Sequence, residues 1–199
     1  VVDDEVLDEL GHGVAVKGVA GGGRTGGDRR RLAREVRGGR GDERGRLFDE
    51  VVRLLRGSPG TRAVLAETPW GKLGLTICYD IRFPALHRRL AHAGADILTV
   101  PAAFSPVTGA AHWETLLRAR AIETGCFVLA PAQTGTHAAT RGRARTTHGH
   151  SMAIAPWGEI LADGGTDHGI VMVDLDPRQV AQARRRVPSL RHDRVFDGP

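Results

Sequence analysis

Cysteine is almost absent from this 199-residue chain, which holds only Cys78 and Cys126. A small secreted fold stapled by disulfides is therefore excluded. Lysine is as scarce, at Lys17 and Lys72 alone, so the formal charge of +5 is carried almost wholly by arginine. Aromatic residues make up 5%. No zinc-finger spacing and no aromatic RNA-binding signature accompanies the basic excess, so nucleic acid is not the expected partner. No run approaches the ~18 apolar residues that cross a bilayer, so no membrane is expected. The N-terminus shows no basic segment followed by an apolar one, so no secretory signal is visible and a cytoplasmic location is expected. The chain opens on Val1 instead of Met, which points to a partial or processed chain.

What is present falls into two unlike parts. Residues 1–60 hold 14 of the 27 glycines and 11 arginines, with Phe48 as their one aromatic. The stretch "GVAGGGRTGGDRRRLAREVRGGRGDERGR" sustains neither a period of 2 nor one of 3.6. Such composition buries little against the cost of ordering a backbone. Residues 1–57 are read as a Gly/Arg-rich segment of low order, or as the product of a misread frame. Only Leu47–Leu55, "LFDEVVRLL", has the pattern of a short helix. "GGGRTGG" lacks the Gly-Lys-Ser/Thr ending of a phosphate loop and a buried strand before it.

Residues 58–199 read as a regular α/β unit. "RAVLAETPWGKLGLTIC" predicts two strands joined at Thr68–Gly71. "FPALHRRLAHAG" predicts a helix: Pro84 suits the first turn, Leu86 and Leu90 share a face, and Gly94 suits the exit. "ADILTVPAA" and "CFVLAPAQ" are short buried strands. "HWETLLRARAIETG" is a second helix with Trp113, Leu116, Leu117 and Ala121 in one stripe. "SMAIAPWGEILAD" is a hairpin around Pro156–Gly158. "GIVMVDLD" is a further strand, and Pro177 opens a last helix, "PRQVAQARRR". Trp70 and Trp157 are turn aromatics in similar "PWG" strings, and Arg184–Arg186 form a solvated helix face. Strands alternating with helices, and some hairpins, imply a mixed sheet covered by helices.

Cys78 closes the second strand, since Asp80 and Pro84 fit poorly inside a sheet. A strand end that runs into a helix is where α/β proteins place ligands. A thiol there can attack an acyl carbon if a base removes its proton and donors hold the oxyanion. It can equally be a small hydrophobe filling space. Cys126 opens a buried strand after a helix exit and reads as core. His148 and His150 are two apart beside a strand. A metal pair needs further ligands, and spacing places none, so hydrogen-bonding roles are expected.

The stretches "TPWGKLGLTICYDIRFPAL", "GADILTVPAAFSPVTGAAHWETLLRARAIET", "HGHSMAIAPWGEIL" and "VPSLRHDRVF" stand in one order over residues 59–196. Together they resemble the nitrilase, or carbon–nitrogen hydrolase, superfamily. The nearest branch is that of deaminated-glutathione amidases and omega-amidases. The resemblance implies an α/β fold, a four-layer α-β-β-α sandwich that is N-terminally incomplete here. It implies hydrolysis of a small linear amide through a cysteine thioester, with ammonia released and neither metal nor cofactor required. It also implies a homo-oligomer, formed across helices near the site.

On this resemblance Cys78 is the nucleophile and the backbone N–H of Tyr79 an oxyanion donor. Asp80, Arg82, Phe83, Ala103, Phe104 and His112 fall on substrate-binding positions, with His112 at the pocket mouth or the dimer contact. Glu123 is read as an ion-pair partner of neighbouring arginines. The family's Glu and Lys have no clear counterpart. Aligning "LFD" in "RGRLFDE" puts Arg44 at the lysine position, although arginine lacks the compact ammonium. Lys72 stands six residues before Cys78 on one strand, roughly 20 Å away at ~3.3 Å per residue. The alternative expectation is a catalytically impaired or inactive remnant that serves as an assembly or binding module. A third is nucleic-acid binding by the Arg/Gly segment.

Overall fold

The computed structural model describes residues 12–18 as a backbone strand, and residues 61–137 and 144–198 in full. The chain divides into two units, Val1–Gly18 with Ala63–Pro199, and Val19–Arg62. Nearly all of the second unit lies outside the described residues, and so do Leu47–Leu55, Arg44 and the glycine-rich string.

The predicted hairpin is present: β2 (Val64–Thr68) and β3 (Gly71–Leu75) pair antiparallel across Pro69 and Trp70. The chain then leaves the sheet in a 3₁₀ turn, Cys78–Arg82, and enters α1 (Pro84–His92) with Pro84 in its first turn. β4 (Ile97–Thr99) and β5 (Phe127–Ala130) flank α2 (Pro106–Thr124). β3, β4 and β5 run parallel, while β8 (Met152–Ile154) and β9 (Ile160–Asp163) add antiparallel. The result is a mixed six-stranded sheet in the order β2-β3-β4-β5-β8-β9.

Period-2 alternation sorts the central strands onto two layers. Leu98, Val128, Ala130, Met152 and Ile154 face α1 and α2, where they meet Leu90, Trp113, Leu117 and Ala121. Ile97, Phe127, Leu129, Ala153 and Ala155 face the other way. There they meet Val173 and Leu175 of β10 (Gly169–Leu175) and Val180 of α3 (Arg178–Arg186). Both faces of the central strands are thus covered, which is why "ILT" and "FVLA" read as continuous apolar runs instead of alternating ones.

Four features depart from the sequence reading. β1 (His12–Gly18), "HGVAVKG", pairs parallel with β10 over its whole length, within a stretch read as having no strand. A second hairpin, β6 (Thr134–His137) with β7 (Arg145–His148), was not expected. α2 begins at Pro106, not near His112: Ser105 accepts the Thr108 N–H and Pro106 follows at the first helical position. Arg184 is not on a solvated face. It lies half-buried, with Nε on Thr124 O at 3.1 Å and Nη2 on Ala95 O at 2.7 Å, so it caps the C-terminus of α2 with a cation. Arg185 and Arg186 are exposed as expected, and Arg186 stacks 4.2 Å over the ring of Trp157.

Two glycines set close approaches. Gly125 ends α2 in the left-handed conformation at φ 60. Gly109 lets α2 lie against β7: a Cβ there would sit 2.2 Å from His148 Cγ. Among the described residues no helix is long and apolar enough to cross a membrane.

Candidate active site

The parallel strands β3, β4 and β5 deliver their C-terminal ends to one edge of the sheet, and Cys78 lies there. Beyond Leu75 the strand pairing continues for one more step, with Thr76 N on Thr99 O at 3.1 Å and Cys78 N on Pro101 O at 2.8 Å. The chain then turns sharply. Asp80 Oδ2 accepts the Ile77 N–H at 2.9 Å, Asp80 N bonds to Ile77 O at 2.9 Å, and Phe83 N bonds to Asp80 O at 2.9 Å. Asp80 therefore fixes the turn with one carboxylate oxygen. Cys78 sits at its start with φ 47, a left-handed conformation that costs any non-glycine residue free energy. Its side chain is half-buried against the helix-side core.

The Tyr79 amide lies between two bonded amides, Cys78 N and Asp80 N, and itself bonds to nothing among the described residues. A backbone N–H with no acceptor among the described residues, beside a thiol, is an arrangement that suits an oxyanion. The rest of the turn is held from behind. Arg120 on α2, buried at 5% exposure, donates from Nε to Ile81 O at 2.7 Å and from Nη1 to Glu123 Oε1 at 2.7 Å. Glu123 is thus an ion-pair partner of an arginine, as read from the sequence. His87 is fully buried and donates from Nδ1 to Phe83 O at 3.0 Å. Burial, the largest cause, and the nearby Arg120 charge push its pKa below the ordinary histidine value against the opposing pull of the Phe83 carbonyl and Asp80, so the ring is neutral.

The other predicted positions converge on the same edge. Ala103 and Phe104 follow β4, and Phe104 is buried against Trp113, ring centroids 4.8 Å apart. Arg82 lies between rings, its guanidinium carbon 5.3 Å from the Phe104 centroid and 5.4 Å from that of Tyr79. Its Nη1 and Nη2 reach His112 Nδ1 at 3.3 and 3.4 Å. Nδ1 therefore accepts, which places the His112 proton on Nε2. Phe83 is half-exposed, and its ring meets Tyr79 edge-on at 5.7 Å. Arg44 lies outside the described residues.

Two wall contacts had no signal in the sequence. His148 N bonds to Phe104 O at 2.9 Å, and Arg145 Nη2 donates to Ala103 O at 2.5 Å. Both come from the β6–β7 hairpin. Elsewhere, His150 pairs through Nδ1 with Asp163 at 3.0 Å and stacks on His148 at 4.6 Å. Among the described residues no group of three metal-ligating side chains comes together. Cys126 is fully buried, and burial raises its pKa even with Arg184 Nη2 at 3.1 Å from the sulfur, so it stays a thiol. Lys72 pairs with Glu67 at 3.0 Å beside the β2–β3 turn, at the far end of β3 from Cys78.

A cavity of about 640 Å³ lies at that far end of the sheet, lined by Asp96, Thr124, Gly125, Val180, Arg184 and Leu190 among others. It is large enough for a ligand but contains none of the residues around Cys78. The thiol, the Tyr79 amide and the strained turn carry chemistry that this cavity lacks, and the candidate site is placed with them.

The carbon–nitrogen hydrolase family model matches residues 27–185. Deaminated glutathione amidase of Synechocystis sp. is 54% identical over 127 residues, which are 64% of this chain and 45% of that protein. The C. elegans NitFhit protein superposes with a TM-score of 0.60 at 43% identity, covering 69% of this chain and 32% of that one. Saccharomyces cerevisiae Nit3, a member of branch 10 of the nitrilase superfamily, gives 0.61 at 35% identity, covering 66% and 47%. The chain spans about half the length of the curated relatives it matches. With most of its length inside the family model and its fold shared with these structures, the chain belongs to the carbon–nitrogen hydrolase family of the nitrilase superfamily.

Proposed function

We propose that this chain carries the nucleophile half of an amidase that hydrolyses the C–N bond of a small linear amide. Cys78 Sγ adds to the amide carbon, and the Tyr79 N–H takes the developing oxyanion. The tetrahedral intermediate collapses, the C–N bond breaks, and ammonia leaves with a proton returned to nitrogen. Water then adds to the thioester and releases the acid and the thiol. Arg82, Phe83, Ala103, Phe104 and His112 hold the acyl part, with Asp80 keeping the turn in shape. No cofactor enters these steps, and the same reading expects a homo-oligomer. The observation that carries it is the Tyr79 amide, unbonded among the described residues, beside a thiol held in a left-handed turn, in a chain of this family. The relatives named deaminated glutathione amidase support an amide substrate.

One observation favours a second reading, a non-enzymatic binding or assembly module. Every described glutamate is occupied or remote from a base's task. Glu67 pairs with Lys72, Glu114 with Arg118, Glu123 with Arg120, and Glu159 is exposed in the β8–β9 hairpin. No described glutamate is left to serve as the general base, and Arg44, the candidate for the cation, lies outside the described residues. Ammonia release separates the two readings. The full chain is expected to liberate ammonia from small linear amides such as butyramide or succinamic acid. No ammonia from any of them, with the chain folded, would favour the module.

A further inference from the structure

The cavity of about 640 Å³ at the far end of the sheet stands apart from the chemistry of Cys78, and its lining is one-sided in charge. Arg184, Arg185 and Arg191 line it against a single acid, Asp96. Asp96 is already engaged, since its Oδ2 accepts the Lys72 N–H at 3.0 Å. Among the described residues, no carboxylate lies within 4.0 Å of any of these three guanidiniums, whereas Arg88, Arg118, Arg120 and Arg178 each have one. The side chains of Arg185 and Arg191 are exposed and make no hydrogen bond to a described residue either.

Arg184 differs from the other two. Its Nε donates to Thr124 O at 3.1 Å and its Nη2 to Ala95 O at 2.7 Å, so the guanidinium is fixed in place. These bonds offset the negative pole of α2, which would otherwise repel an anion at this end. Its Nη1 bonds to nothing among the described residues and stays available. A guanidinium fixed beforehand loses little freedom when it meets an anion, and phosphate is a group that arginine holds through charge-assisted hydrogen bonds. Much of the rest of the lining is apolar: Val180, Val187 and Leu190, with Pro177 and Pro188. The volume suits a small molecule.

We propose that this cavity is a second ligand site, one that takes a small organic phosphate with an apolar body. The arginines hold the phosphate, and the valines and Leu190 cover the body. A neutral ligand with the same body lacks the charge, and inorganic phosphate lacks the apolar burial. The site needs no reaction at Cys78: Asp96, on its lining, bonds to Lys72 at the start of β3, and Cys78 follows the other end of that strand.

Isothermal titration of the full chain with 1-naphthyl phosphate tests this, with 1-naphthol as the neutral counterpart. At low salt the phosphate is expected to bind about tenfold more tightly than the alcohol, or better. Roughly 0.5 M NaCl should remove most of that advantage. Arg185→Glu combined with Arg191→Glu, at two exposed positions, should weaken the phosphate by about tenfold or more. Ala181→Trp, which brings an indole into the cavity from an exposed position of α3, should weaken both ligands by about tenfold or more. Arg82→Met, beside Cys78, should leave the affinity unchanged. A phosphate that binds no better than the alcohol overturns the proposal. So does an affinity that the double charge reversal or Ala181→Trp leaves intact. An affinity lost in Arg82→Met would put the ligand at the Cys78 site and overturn it as well. Circular dichroism reports any variant that has unfolded, and the comparison of phosphate with alcohol on the wild type, with its salt dependence, then decides.

Discussion

Cys78→Ala is expected to lower ammonia release from a small linear amide by ~10⁴-fold or more, the scale of losing a nucleophile that works with the rest of its site as a unit. The side chain is half-buried and packs at the margin of the helix-side core. Removing its sulfur should therefore change stability by no more than about 1 kcal/mol, and wild type and variant should unfold at similar temperatures. The two effects must separate in this way for the account to hold. Equal rates of ammonia release in the two proteins would show that Cys78 is not the nucleophile.

Arg120→Ala is expected to destabilise the fold by about 3 kcal/mol or more, because it removes one partner of a buried hydrogen-bonded charge pair. Arg120 is 5% exposed, while Glu123 is less buried and can turn to water when its partner goes. The Ile81 carbonyl cannot do so easily, since Ile81 is fully buried in the turn that begins at Cys78. For a unit of this size the thermal midpoint should fall by roughly 10 °C. Glu123→Gln, which leaves the Arg120–Ile81 bond in place, should fall by much less. A midpoint for Arg120→Ala within ~2 °C of wild type would show that α2 does not hold the Cys78 turn.

The sequence shows most of the elements that carry this site, and the reason is physical. Strands such as "ILT" and "FVLA" are buried on both faces, so their apolar runs stand out without help from neighbours. Pro84 and Gly125 mark helix ends by backbone chemistry that leaves a local trace. β1 was hidden because a parallel strand takes its bonds from β10, some 150 residues away, and glycines surround its two alternating valines. β6 and β7 were hidden in "TGTHAATRGRARTTH" for a related reason: the positions they bury are threonines, Thr134 and Thr147, so the hairpin has no apolar period. The first turns of α2 had a signal, Ser105 before Pro106, that the polar and small residues following it obscured.

The residues gathered around the thiol were legible only through family resemblance. Arg82, Phe104 and His112 lie far apart in the chain, and no spacing rule brings them together. Arg120 and Arg145 went unnoticed because each acts on a backbone carbonyl, Ile81 O and Ala103 O, some 40 residues distant. An arginine directed at a carbonyl looks, in sequence, like any other arginine. Arg184 shows the same effect in the scaffold, where a member of an "ARRR" run turns inward to cap α2.

The central claim is that Cys78 forms a thioester with the acyl part of an amide. Acid quenching during incubation with a small linear amide, followed by peptide mass spectrometry, tests it most directly. The account predicts a mass gain equal to the acyl group on the peptide that contains Cys78, absent in Cys78→Ala and discharged by time or hydroxylamine. Ammonia released with Cys78 unmodified at every quench time, or an acyl group found on another residue, would contradict it.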